Sequence, residues 1–222
     1  MDIAENKDCN NMFDEIIKSR RSVRFFKDEF PSKEDIKDIL KAGMMAPYAA
    51  QAVGENEDFR RFFVFENGSE SMEIAANLMG KKAEEGLNHF KRMITEKPFL
   101  KNKVQSFMDK LQMIVDKGVL GVGTAPYFIV VAELRGVPPV EQESIAHCLE
   151  NMWLKATALQ LGFHLVSLTS QMAEEEEFMK LLNIPVGKYG INGCAIGYPA
   201  MKAPPVPRPN ITKVTKWFNA DK

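Results

Sequence analysis

The sequence predicts one α+β domain, and three observations point to it. Four short apolar runs, at residues 61–65, 125–132, 164–168 and 194–199, read as strands bounded by turn or proline signals. Longer stretches with helical spacing lie between them, so most strands are joined through helices. No internal repeat or low-complexity linker divides the 222 residues, a length that suits one sizeable core.

The first helix is expected ahead of residue 18, where Met12, Phe13, Ile16 and Ile17 share one face. Residues 18–26 then bring Arg20, Arg21, Ser22 and Arg24 together. In an extended chain Ser22 and Arg24 point the same way, because strand side chains alternate. Guanidinium groups fork onto phosphate oxygens, and a hydroxyl adds a donor, so this stretch can grip the phosphate of a cofactor. The same residues also suit the end of a helix, whose negative pole favours cations.

Ser32, with Asp35 three residues later, forms a capping-box pattern for a second helix carrying Ile36, Ile39, Leu40 and Met44. Pro47 ends that helix. The small residues that follow would let a flat ligand lie close to the backbone; a plain helix stop has the same pattern.

Residues 71–117 carry three apolar stripes, marked by Ile74 and Met79, by Leu87 and Phe90, and by Val104 and Leu111. Lys97 and Pro98 separate the second stripe from the third. These stripes are of core type, although residues 71–123 can also be read as a helical insertion or lid. The run at 125–132 is apolar on both faces after Pro126. Residues 141–161 form a helix that is apolar most of the way round, as at a subunit interface or in a core, with Gly162 expected as its C-cap. The acid run at 174–177 belongs at the start of a further helix. Residues 203–209 are too rich in proline for helix or inner strand and predict a stiff, extended arm. Its one charge, Arg208, can be delivered to a distant anion; alternatively the arm is a connector to residues 211–218.

Composition excludes several functions. At 45% hydrophobic and 27% charged the chain is globular, and a formal net charge of −1 gives no overall attraction to nucleic acid. Cys9, Cys148 and Cys194 have neither disulfide-framework nor metal spacing, and His89, His147 and His164 are equally scattered. The first residues lack the apolar core of a signal peptide, and no run is long enough to span a membrane. The expectation is a cytoplasmic protein without metal, nucleic-acid or membrane partners.

Four pieces occur in a telling order: residues 19–26; Ala46, Pro47, Tyr48 and Ala49; Leu161 to Thr169; and Gly197, Tyr198 and Pro199 followed by Pro207, Arg208 and Pro209. Together they resemble the FMN-dependent nitroreductase family. The resemblance implies a single domain over residues 1–222, with a central, mostly antiparallel sheet flanked by helices. It also implies an intertwined homodimer whose C-terminal arm, residues 199–222, reaches the partner. FMN would lie at the dimer interface. Arg20, Arg21, Ser22, Arg24 and Arg208, with Lys202, would hold its phosphate and ribityl chain. Pro47, Tyr48, Ala49 and Gln51 would come from the partner subunit against the flavin ring. Ser167, Leu168, Thr169 and Ser170 would lie beside the ring, with a backbone N–H near Thr169 directed at N5.

The activity implied is NAD(P)H-dependent reduction of nitroaromatic, quinone or related acceptors by a ping-pong hydride mechanism, with no catalytic side chain. Other chemistry on the same fold, such as reductive dehalogenation or dehydrogenation, and non-catalytic FMN binding are the alternatives. Two features depart from the family pattern. Tyr48 stands where serine is frequent, and either Gln51 or Asn56 could fill the amide role at the pyrimidine edge.

Overall fold

A computed structural model describes residues 7–48 and 59–218. The sheet has four strands in the order β1-β2-β4-β3, where β1 is Arg60–Glu66, β2 Tyr127–Leu134, β3 Gly162–Leu165 and β4 Tyr189–Gly197. Every pairing is antiparallel, as the resemblance implied. Helices cover both faces.

The alternation along β2 builds the layers. Phe128, Val130 and Ala132 point to one face, where they join Met72, Ala75, Met79, Ala83 and Leu87 of helix α3 (Glu70–Glu96) and Met108 and Leu111 of α4 (Lys101–Lys117). Tyr127, Ile129 and Val131 point to the other face. There they meet Ile36 and Ile39 of α2 (Lys33–Met44) and Ile145, Cys148 and Met152 of α5 (Glu141–Ala158). A strand buried on both sides is apolar along nearly its whole length, and in β2 the buried exception is Glu133.

The helix signals are realised locally. Ser32 accepts the Asp35 amide at 3.0 Å at the start of α2, and Ser69 accepts the Met72 amide at 3.3 Å at the start of α3. The 3-10 turn Pro98–Leu100 breaks α3 from α4 at the expected proline. Buried residues of α3 and α4 make residues 71–117 the larger part of one layer over the sheet, which Met172, Ala173, Phe178 and Met179 complete. The third apolar run is shorter as a strand than expected. After Val166, whose amide still donates to Gly193 O at 2.8 Å, it becomes a 3-10 helix, Ser167–Glu174, before α6 (Glu176–Leu181).

Gly162 is not the C-cap of α5. Gln160 takes the left-handed position instead, with φ of 59°. Its amide donates to Thr157 O at 3.0 Å and the Leu161 amide to Ala156 O at 2.8 Å, the Schellman pattern. Helix α1 (Lys7–Ser19) forms as expected, yet none of its residues is buried.

Candidate functional site

The basic stretch leaves α1 extended and lies along the open edge of β3. Ser22 forms a parallel bridge with Phe163, and the Val23 amide donates to Phe163 O at 2.9 Å. Further on, the Lys27 amide donates to Tyr198 O at 2.9 Å and the Ala200 amide to Phe25 O at 2.9 Å. The chain after β4 is therefore sewn to the same strand.

Alternation now sorts the side chains. Val23 turns inward against Gly162, whereas Ser22 and Arg24 face outward into a cleft of about 260 Å³ with Arg20, Arg21 and Arg208. Four arginines and no carboxylate line this cleft. The arm up to Arg208 folds back on its own chain, and the Arg21 Nε donates to Pro204 O at 3.3 Å. Lys202 lines a neighbouring cleft of about 580 Å³ that Arg21 also borders.

The arginines are not equivalent. Arg20 pairs with Glu150 at 3.2 Å and lies over the Trp153 ring at 4.3 Å. Arg21 is tied to backbone, donating to Lys18 O at 2.6 Å and to Arg20 O at 2.7 Å. Arg24, Lys202 and Arg208 make no hydrogen bond or ion pair among the described residues. They are the cations left open to an external anion. His164 stands near Arg24. Burial pushes its imidazole down to about 4, and the Arg24 charge adds in the same direction, so it is neutral at pH 7.

Ser167, Leu168, Thr169 and Ser170 begin the 3-10 helix, which packs its Met172 and Ala173 against the α3 layer. The Thr169 amide donates to Val166 O at 3.0 Å, so that N–H is already engaged. The Ser167 and Leu168 amides have no backbone acceptor among the described residues, as expected for the first turn of a helix. The Thr169 side chain is buried beside Gly193, and its hydroxyl oxygen has no partner among the described residues.

Pro47 and Tyr48 follow α2 and are exposed. Tyr48 stacks on Phe59, with ring centroids 3.7 Å apart and planes at 19°. Ala49, Gln51 and Asn56 lie outside the described residues. Neither Pro47 and Tyr48 nor residues 167–170 line the two basic clefts.

Three residues at the site escaped the sequence reading. Arg60 is buried and pairs with Glu133 at 2.6 Å. Its guanidinium reaches the carbonyls that end α2, and Ser144 joins it. The available signal was one cation at the start of an apolar strand and one carboxylate near the end of the next. The sheet register sets Arg60 opposite Glu133.

Neither buried thiol is a ready nucleophile. Burial drives the Cys148 thiol up to about 12 and the Cys194 thiol up as well. Among the described residues no cluster could hold a metal. The site defines a class: a three-layer α+β protein with an open, cationic cleft at the sheet edge, suited to a phosphorylated ligand. The match to the Nitroreductase family model covers residues 17–198, and the chain belongs to that family.

Solved structures agree on the fold. A nitroreductase from Bacteroides fragilis with bound FMN is 19% identical, covers 93% of this chain and 98% of its own, and superposes with a TM-score of 0.67. A BluB-like flavoprotein from Clostridium difficile is 21% identical over 93% of this chain and 98% of its own, with a TM-score of 0.70. An iodotyrosine deiodinase bound to FMN and 3-iodo-L-tyrosine is 22% identical over 94% of this chain and 100% of its own, with a TM-score of 0.63. Curated protein sequences include no significant match.

Proposed function

We propose that this protein is a homodimeric, FMN-dependent oxidoreductase that uses NAD(P)H to reduce nitroaromatic, quinone or related small acceptors. The observation that carries the reading is the cleft where Ser22, Arg24 and Arg208 meet without a carboxylate, on a nitroreductase-family chain. The donor set fits a phosphate monoester. Charged hydrogen bonds of this kind contribute about 1.5–3 kcal/mol each, and three would support micromolar binding, about −8 kcal/mol.

Bound FMN would supply the two-electron redox chemistry, accepting reducing equivalents from the nicotinamide and passing them to the acceptor. The chain's own residues bind and orient. Arg24, Arg208 and Ser22 hold the phosphate, with Lys202 beside them. Arg20 and Arg21 fix the basic strand and the arm around it. The Ser167 and Leu168 amides are the donors available to the ring edge, where preorganised N–H groups stabilise developing negative charge. Thr169 offers a buried hydroxyl beside them rather than its amide.

The dimer is supported by apolar surface that the single chain leaves open. Met12, Phe13 and Ile17 of α1 are exposed, as are Ile211, Val214, Trp217 and Phe218 of the arm. In the dimer, Pro47 and Tyr48 face the partner's cofactor and the arm crosses between subunits. The part of the α3–α4 hairpin beyond the core walls the acceptor site. Among the described residues no helix is long and apolar enough to cross a membrane. The site of action in this reading is a reducing cytoplasm, where the buried Cys148 and Cys194 remain thiols.

Purified protein should be yellow, or turn yellow with added FMN, and bleach anaerobically with NADH or NADPH. Re-oxidation by a nitroaromatic or a quinone completes the test. A colourless protein that takes up no FMN overturns the proposal, and FMN uptake without bleaching reduces it to a flavin-binding role.

A further inference from the structure

The ion pair of Arg60 and Glu133 lies outside the cationic cleft, and its geometry points to a task there. Arg60 opens β1, yet its side chain is fully buried. One nitrogen, Nε, faces Glu133 Oε1 at 2.6 Å. The other two turn away from the carboxylate. Nη1 donates to Gly43 O at 2.7 Å, Ala46 O at 3.1 Å and Met44 O at 3.3 Å. Nη2 donates to Pro47 O at 3.3 Å and to the Ser144 oxygen at 3.2 Å. Ser144 in turn donates to Pro47 O at 3.1 Å.

A buried ion pair is by itself weak evidence for stability, since a matched apolar pair often serves as well. Here the donors fan over the last carbonyls of α2, the negative pole of that helix, and end on Pro47. Lysine has no planar fork with which to do this. The residue before Arg60 completes the arrangement. Phe59 carries the stacked Tyr48 ring at 3.7 Å and lies under the Arg60 guanidinium, 5.2 Å from Cζ to centroid.

We infer that Arg60, oriented by Glu133 and linked through Ser144, is a positioning residue that sets Pro47 and Tyr48 where the partner's cofactor ring meets them. The last clause rests on the FMN reading; the anchoring itself does not. Sites held by such a supporting shell lose function when the shell is loosened by even an ångström.

The test uses the full chain in two variants. Arg60→Met/Glu133→Leu removes both charges together, so neither is left buried alone, and Ser144→Ala removes only the hydroxyl link. Two readouts are taken on each folded protein. The first is the ring-proton shift of labelled Tyr48 without flavin, which reports stacking on Phe59. The second is the FMN dissociation constant.

The expected result is a Tyr48 signal moved toward its solvent-exposed value in the double variant, with FMN affinity lowered about tenfold. Ser144→Ala should give a smaller change in the same direction. An unmoved Tyr48 signal in both variants overturns the anchor. A moved signal with unchanged FMN affinity overturns its service to the cofactor. If the unmodified protein binds no FMN, the proposed function fails separately, and the Tyr48 signal still decides the anchor.

Discussion

Val23 packs directly on Gly162, so closely that a Cβ on Gly162 would lie 2.7 Å from Val23 Cγ1 and 3.2 Å from Gly197 O. This contact lets the basic strand lie flush against β3. Gly162→Ala should push that strand away from the sheet, costing about 1–3 kcal/mol of stability. Because Arg24 rides on the same strand, FMN retention should fall with it. Urea unfolding and FMN titration of the variant check both effects.

The arginines should separate into two groups. Arg24→Ala and Arg208→Ala are expected to weaken FMN binding by about tenfold to a hundredfold each, at 1.5–3 kcal/mol per charged bond, with the melting temperature unchanged. Arg21→Ala removes a tie between α1 and the arm and should lower stability as well. Affinity measured beside thermal unfolding distinguishes the two. Equal loss in both quantities for all three would remove the phosphate role.

His164 should make stability depend on pH. Its folded pKa is depressed to about 4, chiefly by burial and then by Arg24, against an unfolded value of 6.5. The unfolded chain therefore binds more protons between pH 6.5 and 4, and stability falls as pH is lowered through that window. The loss attributable to this group is on the order of 3 kcal/mol. His164→Gln should flatten the profile there, as read by urea unfolding at several pH values. An anion bound at Arg24 should raise the His164 pKa, visible in its ring-proton titration.

Gln160 holds a left-handed backbone that glycine adopts without steric cost. Gln160→Gly should stabilise the protein by roughly 0.5–1 kcal/mol through the Schellman turn that closes α5. Chemical denaturation measures it, and a loss of stability would mean that the Gln160 side chain contributes in the neighbouring cleft.

Dimerisation should depend on α1. A pair of charges at Phe13→Glu and Ile17→Glu lies on a face that the single chain leaves in solvent. The variant should sediment as a monomer and lose FMN, while its circular dichroism is kept.

Much of this was readable along the chain. Apolar runs, the capping Ser32 and Pro98 marked the strands and breaks because each acts within a few residues. The basic stretch and Arg208 were recognisable as cations, and Pro47 as the stop after α2. Gly162 was misread as a cap, because its real constraint is a strand distant in sequence. Which amide near Thr169 is open was not readable: that of Thr169 itself donates to Val166 O, whereas those of Ser167 and Leu168 have no backbone acceptor among the described residues.

The sequence alone determined the periodicities: that four strands alternate with helices, which faces are apolar, and that a cationic stretch sits at one end and a proline-stiffened arginine at the other. Tertiary structure decided the rest. It chose which arginines remain open, since Glu150, Trp153 and backbone carbonyls claim Arg20 and Arg21. It also buried Arg60 against Glu133, because only the β1–β2 register brings those two together. Local patterning acts through neighbours on one helix turn or one strand face, whereas a charge finds its partner only when the whole sheet is assembled.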